Sequence, residues 1–144
     1  MKKNTDRLLG AVDALLTRYL LAGADGQPRP MRYNPLDYQS LKFIENHPDC
    51  RPTDICQALF LPPTTVQSVL DRLCKLRLIS KHGHPTDKRA RIYKLTEEGT
   101  RMRGRILAQD RANMQEMLNS LTEPEQDQML GLMEKVEKHL RSAM

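Results

Sequence analysis

Leu8, Val12, Leu15 and Tyr19 recur at intervals of four, three and four, with Leu9, Leu16 and Leu20 beside them. That spacing predicts one apolar stripe on a helix over about residues 4–22. Ala22 to Pro35 then holds three Pro and two Gly in fourteen residues, which predicts a long loop. A second helix is expected over about 36–46, with Leu36, Leu41, Phe43 and Ile44 inward and His47-Pro48 ending it. Pro52 opens a short helix, about 52–59, whose inward side is Ile55, Ala58 and Leu59. After the turn Phe60-Leu61-Pro62, Pro63 opens a longer helix, about 63–76, with Val66, Val69, Leu70, Leu73 and Leu76 on one side. Two helices joined by so short a turn fit a helix-turn-helix.

Two extended stretches follow, Leu78 to His82 and Ala90 to Leu95, around a turn-rich tip from Gly83 to Arg89. A hairpin placed after a helix-turn-helix is a wing. Thr96 then caps a helix to about 119, with Glu97 and Glu98 at the positive end of its dipole. Thr122-Glu123-Pro124-Glu125 is a capping box opening a last helix, about 122–141, with Met129, Met133, Val136 and Leu140 along it. The fold class is therefore mainly α with a small β-wing: a winged helix-turn-helix between N- and C-terminal helices. The chain of 144 residues reads as a single domain, with 36–99 as the winged region and 1–35 and 100–144 as flanking helices and loop. Neither terminal stripe is needed to complete the winged core. Each must be covered, and a second copy of the chain is the simplest cover, so a homodimer is expected.

Charge sharpens this picture. The total is +5, but residues 51–105 carry 12 basic and 5 acidic side chains, whereas residues 106–144 carry 4 and 7. A basic middle third is the footprint of a surface meeting phosphate. Aromatic residues are only 4% of the chain and Trp is absent, which disfavours stacking on single strands and leaves double-stranded DNA as the expected partner. Cys50, Cys56 and Cys74 form no CxxC pair, and an odd count fits a reducing cytoplasm. Asp13 and Arg18 interrupt the leucine-rich N-terminal stretch, against a signal peptide or a membrane span.

Candidate contacts follow from position. Thr64, Thr65, Gln67 and Ser68 lie at the start of the second helix of the pair, away from its apolar side. Such residues reach base edges in the major groove, where Gln pairs with adenine and a Thr methyl meets the thymine methyl. Arg72 and Lys75, further along, suit phosphates. At the hairpin tip, Lys88, Arg89 and Arg91 suit the negative potential of a narrow minor groove.

Asp87-Lys88-Arg89, followed after five residues by Leu95-Thr96 and then Gly99, resembles the D-x-R…L-T-x-x-G signature of the MarR (multiple-antibiotic-resistance regulator) family. Val69-Leu70-Asp71-Arg72-Leu73 running into Leu78-Ile79 is similar to the same family's recognition helix and first wing strand. The resemblance covers nearly the whole chain and also matches the order of elements. It implies a transcription regulator, expected to be a repressor, that binds an inverted-repeat operator as a homodimer. It implies that Arg89 enters the minor groove and that Asp87 steadies it. It also implies a small-molecule pocket between the dimerisation helices and the winged domain; Arg32, Tyr33 and Tyr38 are candidate wall residues, and the sequence names no effector. One departure stands at Arg77, where the family often has Gly. A left-handed backbone there would cost an Arg about 1 kcal/mol.

Other chemistries are weaker. His82, His84 and Asp87 lack a second cluster at metal spacing, so solvated wing histidines and no metal are expected. Cys56 and Cys74 sit among apolar neighbours and read as small core residues, while Cys50, beside Arg51, is expected at the surface. The family's peroxide-sensing branch has its reactive Cys in the first helix, and no Cys precedes position 50 here. No nucleophile triad, phosphate loop or paired carboxylates stand in a recognisable setting, so no enzyme and no cofactor are expected. The rival readings are another winged-helix regulator class, a redox-sensing regulator of the same family, and a winged helix used only for protein interaction. An interaction module has no need of basic residues clustered at the wing tip.

Overall fold

Proline and short polar residues punctuate the chain where its helices begin. The computed structural model describes residues 2–20, 29–32 and 34–144. Helix α1 (Lys2–Leu15) continues into five residues of wider π-type winding, Leu16–Leu20. Helix α2 (Pro35–Asn46) is capped by Asn34, whose side-chain oxygen accepts from the Leu36 and Asp37 N–H groups at 3.0 and 3.3 Å. Pro35 follows at the first helical position, where its missing N–H costs nothing. Helix α3 (Pro52–Leu59) and helix α4 (Pro63–Lys75) also open on proline. Between them Phe60 takes a left-handed backbone, φ 54°, which ends α3 and turns the chain.

Strands β1 (Ile79–Gly83) and β2 (Arg91–Leu95) form an antiparallel ribbon, with Ile79 opposite Leu95 and Gly83 opposite Arg91. The first strand starts one residue later than its pattern predicts, because the Leu78 backbone is already committed. Its N–H donates to the Leu73 carbonyl and its carbonyl accepts from Thr96 N–H. The second also starts one residue late, at Arg91. Tyr93 N–H donates to the Cys50 carbonyl at 3.0 Å, which ties the wing to the link between α2 and α3. Helix α5 (Glu97–Asn119) and helix α6 (Glu123–Ser142) carry the predicted caps, Thr96 and Thr122. No described helix is long and apolar enough to cross a membrane.

The core sits where α2, α3, α4, the ribbon and the first half of α5 converge. Leu41, Ile44, Ile55, Val66, Val69, Leu70, Leu73, Leu78, Ile79, Tyr93 and Ile106 are buried there. Two helix ends depend on tight backbone approaches. A Cβ on Gly99 would lie 1.9 Å from the Leu78 carbonyl oxygen, so only glycine lets α5 start against β1. Arg77 has φ 60°, the left-handed conformation that glycine adopts cheaply. The Leu78 N–H reaches Leu73 and the Arg77 N–H reaches Cys74 at 2.9 Å, the paired bonds of a Schellman cap. Thr96 Oγ1 donates to the Arg77 carbonyl at 2.6 Å and secures that cap from outside. The cap geometry is thus kept despite the arginine.

Candidate nucleic-acid interface

Burial of Val66, Val69, Leu70 and Leu73 orients helix α4 and leaves its opposite face outward. Thr64, Gln67, Ser68 and Lys75 are exposed on it, and Thr65 is half-buried. Gln67 does not project freely. Its Nε2 donates to Asp71 Oδ1 at 2.9 Å, one turn on. It lies close to Tyr93, whose phenol burial pushes up and Gln67 pulls part of the way back. A residue expected to read a base is therefore already oriented by its own helix and by the wing.

The wing tip places Lys88, Arg89 and Arg91 outward. Asp87 Oδ1 accepts from the Arg89 backbone N–H at 3.0 Å, so it shapes the turn that presents Arg89. Arg91 Nη1 leans back on the Lys88 and Ala90 carbonyls at 3.5 and 3.4 Å. One residue not singled out from sequence joins this tip and meets His84 there. Arg51, just before α3, brings Nη2 to 3.0 Å from His84 Nε2 and Nη1 to 3.9 Å from Asp87 Oδ2. His84 is half-buried, not a free wing histidine. Among the described residues no group of three or more His, Cys, Asp and Glu could hold a metal ion.

Arg72, expected at phosphates, is held elsewhere. Its Nε lies 3.2 and 3.1 Å from the two carboxylate oxygens of Asp37, and its Nη2 lies 2.6 Å from Oδ1. Asp37 is only 4% exposed, so this fork ties α4 to the start of α2. The hydrogen bonds it donates to Asp37 raise the guanidinium's affinity for its proton further. The pair forms one wall of a cavity of about 690 Å³, together with Pro30, Met31, Arg32, Leu76 and Met102. Of the three expected wall residues, Arg32 lines it and Tyr33 lies outside the described residues. Tyr38 is instead buried and does not line the cavity: its hydroxyl donates to the Met31 carbonyl at 2.9 Å. Arg29 lies over the Tyr38 ring, 5.5 Å from its centroid, and pairs with Asp110 of α5 at 3.0 Å. The segment 29–32 is thus pinned between α2 and α5.

The surface position expected for Cys50 is overturned. The residue is 4% exposed, because its carbonyl pairs with the wing and draws it beneath the ribbon. Burial, then the nearby Asp54 carboxylate, pushes its thiol up to about 11. Cys56 and Cys74 pack at the core margin, half-buried, and burial raises the Cys74 thiol as well. Two apolar faces are exposed on the terminal helices. Leu8, Leu9 and Val12 of α1 and Leu132, Met133, Val136 and Leu140 of α6 are exposed, and α6 buries no residue. Several of them line a shared apolar groove of about 580 Å³.

Comparison with known proteins adds to this geometry. The family model described as MarR family matches residues 33–90. The HTH-type transcriptional regulator PecS of Dickeya dadantii is 30% identical over 89 residues, 62% of this chain. That match spans 54% of PecS, about half its length. The HTH-type transcriptional regulator MhqR of Bacillus subtilis is 24% identical over 103 residues, 72% of this chain and 71% of MhqR. Among solved structures, Streptococcus pneumoniae FabT in complex with DNA superposes with a TM-score of 0.80 at 16% identity, covering 99% of each chain. YusO of Bacillus subtilis superposes with a TM-score of 0.77 at 23% identity, covering 96% of this chain and 94% of YusO.

Proposed function

We propose that this chain is a transcription regulator of the MarR family, acting as a repressor, that binds double-stranded DNA as a homodimer. The family is one of regulators, not enzymes. The observation that carries the reading is the exposure of polar and basic side chains on both α4 and the wing tip. Thr64, Gln67, Ser68 and Lys75 stand on one, and Lys88, Arg89 and Arg91 on the other, within the basic third of the chain. Thr64, Thr65, Gln67 and Ser68 meet base edges, Lys75 meets phosphate, and the wing meets the minor groove. Arg72 drops out of the contact set, since Asp37 holds it. A dimer brings two recognition helices to half-sites about 34–36 Å apart, so the operator is an inverted repeat.

The cavity beside Arg72 is the seat of a small-molecule effector. Its wall includes the fork that holds the recognition helix to α2, so a bound molecule acts on α4 directly and shifts DNA affinity. Selection of bound sequences from random duplex DNA supplies the operator, and titration at fixed salt tests the contacts. Arg89→Ala should weaken operator binding at least tenfold through loss of the minor-groove charge. Lys75→Ala should weaken operator and scrambled duplex alike and flatten the salt dependence by about one unit. Wild-type affinity in Arg89→Ala would remove the wing from the reading.

A further inference from the structure

The wing loop is built on one imidazole. Gly83 opposite Arg91 is the last rung of the ribbon, and His84 is the next residue. Its N–H donates to the Ala90 carbonyl at 3.2 Å, and Ala90 N–H donates to the Asp87 carbonyl at 3.1 Å. Inside this closed loop the His84 ring turns back. Nδ1 accepts from the backbone N–H of Asp87 at 3.0 Å and of Thr86 at 3.2 Å. The Thr86 hydroxyl, which can donate or accept, lies 3.3 Å from the same nitrogen. On the other side Nε2 faces Arg51 Nη2 at 3.0 Å. The ring is therefore ringed by donors. A neutral imidazole has one lone pair to offer them, and a protonated one has none.

We propose that neutral His84 is the positioning residue of the wing, and that its protonation releases the loop and weakens DNA binding. The proposal rests on the DNA-binding reading only for its second half. The Asp87 N–H that His84 holds belongs to the residue whose carboxylate caps Arg89, so the imidazole sets the frame in which Arg89 is presented. The charges around the ring do not reverse the sign. Arg51, the residue that caps α3, stands against it, with Asp54 accepting the Arg51 backbone N–H at 2.8 Å, and Asp87 lies beside Arg51. Lys88, Arg89 and Arg91 are further cations on the same loop, and the other wing histidine, His82, is engaged by Ser80 Oγ at 2.7 Å.

The sign of the pH effect separates this from a merely solvated histidine. A solvated wing histidine gains charge on acidification and tightens its grip on phosphate. A turn acceptor that takes up a proton loses its hydrogen bonds, and binding loosens. The decisive variant is His84→Asn, because asparagine Oδ1 sits as many bonds from the backbone as Nδ1, accepts from N–H groups two and three residues on, and does not titrate. Operator affinity of the full-length wild type should fall about tenfold between pH 7.5 and 5.5 at constant ionic strength, the scale of one or two lost turn hydrogen bonds. His84→Asn should recover most of the neutral affinity and lose the acid-side fall, while His84→Ala should be weak at both pH values. The Thr86 and Asp87 amide resonances of the DNA-free protein give a second readout. They should move with pH in the wild type and stay still in His84→Asn. Tighter wild-type binding at pH 5.5, or amides that move alike in both proteins, overturns the proposal. Amides that follow His84 in a protein without affinity for any duplex uphold the wing brace and remove the DNA reading instead.

Discussion

At the scale of single residues, the same side-chain chemistry takes different work according to what lies across the fold. Arg72 and Lys75 share helix α4 and a positive charge. The 4%-exposed carboxylate of Asp37 claims the first, while Lys75 remains exposed. Removing Asp37 would leave Arg72 free to reach solvent or a ligand, but would untie α4 from α2. Cys50 and its neighbour Arg51 diverge in the same way, one beneath the wing and the other braced against it. The buried thiol has a measurable consequence. Its folded value of about 11 lies above the ordinary 9.0, so at neutral pH the nucleophilic thiolate is nearly absent. Alkylation of native protein by iodoacetamide at pH 8 should leave Cys50 the slowest of the three cysteines, with full reaction only after denaturation. The sign for stability follows. Above pH 9 the unfolded chain releases this proton while the fold retains it, so stability falls as pH rises from about 9 to 11. A Cys50→Ser protein should show a shallower alkaline decline in urea midpoint, and an identical slope would remove Cys50 as the cause.

At the scale of elements, the end of α4 is the informative place. Arg77 occupies a left-handed backbone that the Schellman bonds and Thr96 hold in place. Because φ 60° suits glycine, Arg77→Gly should raise the melting temperature by about 2–4 °C, the equivalent of about 1 kcal/mol. Arg77→Val, whose branched side chain resists that backbone, should lower it, and equal midpoints for the three proteins would show that the cap carries no strain. The element boundaries were legible in the sequence where local chemistry sets them. Pro52, Pro63, Thr96 and Thr122 begin helices for reasons contained in their own few residues. The strand start at Ile79 was not legible, since it depends on Leu78 being shared by two distant partners. The same holds for the site. Exposed Gln67, Ser68, Lys88 and Arg89 follow from helical phase and turn composition. The Asp37–Arg72 fork and the Arg51–His84 contact join residues 35 and 33 positions apart, and no local pattern announces such pairs.

At the scale of the whole molecule, the chain is lopsided. Its winged centre closes a core of its own, while its two ends carry leucine and methionine faces that the single chain does not cover. Leu132 and Val136 of α6 are 57% and 58% exposed, and Leu8 of α1 is 66% exposed. Exposed apolar surface is costly in water, and association of two copies through the same faces would cover it. The exposure also makes the test clean. Leu132→Glu with Val136→Glu changes side chains that no core contact depends on, so the winged domain should keep its fold and its circular dichroism. The wild type should scatter light as twice the chain mass of 16.6 kDa, and the double variant as one chain. Each half-site would then be bound singly. The second binding event loses its effective concentration, and operator affinity should fall by about 10²–10⁴-fold while affinity for an isolated half-site stays the same. Wild-type protein that scatters as a single chain at micromolar concentration, yet holds its inverted repeat tightly, would separate DNA binding from dimerisation and leave the two apolar faces to a partner of another kind.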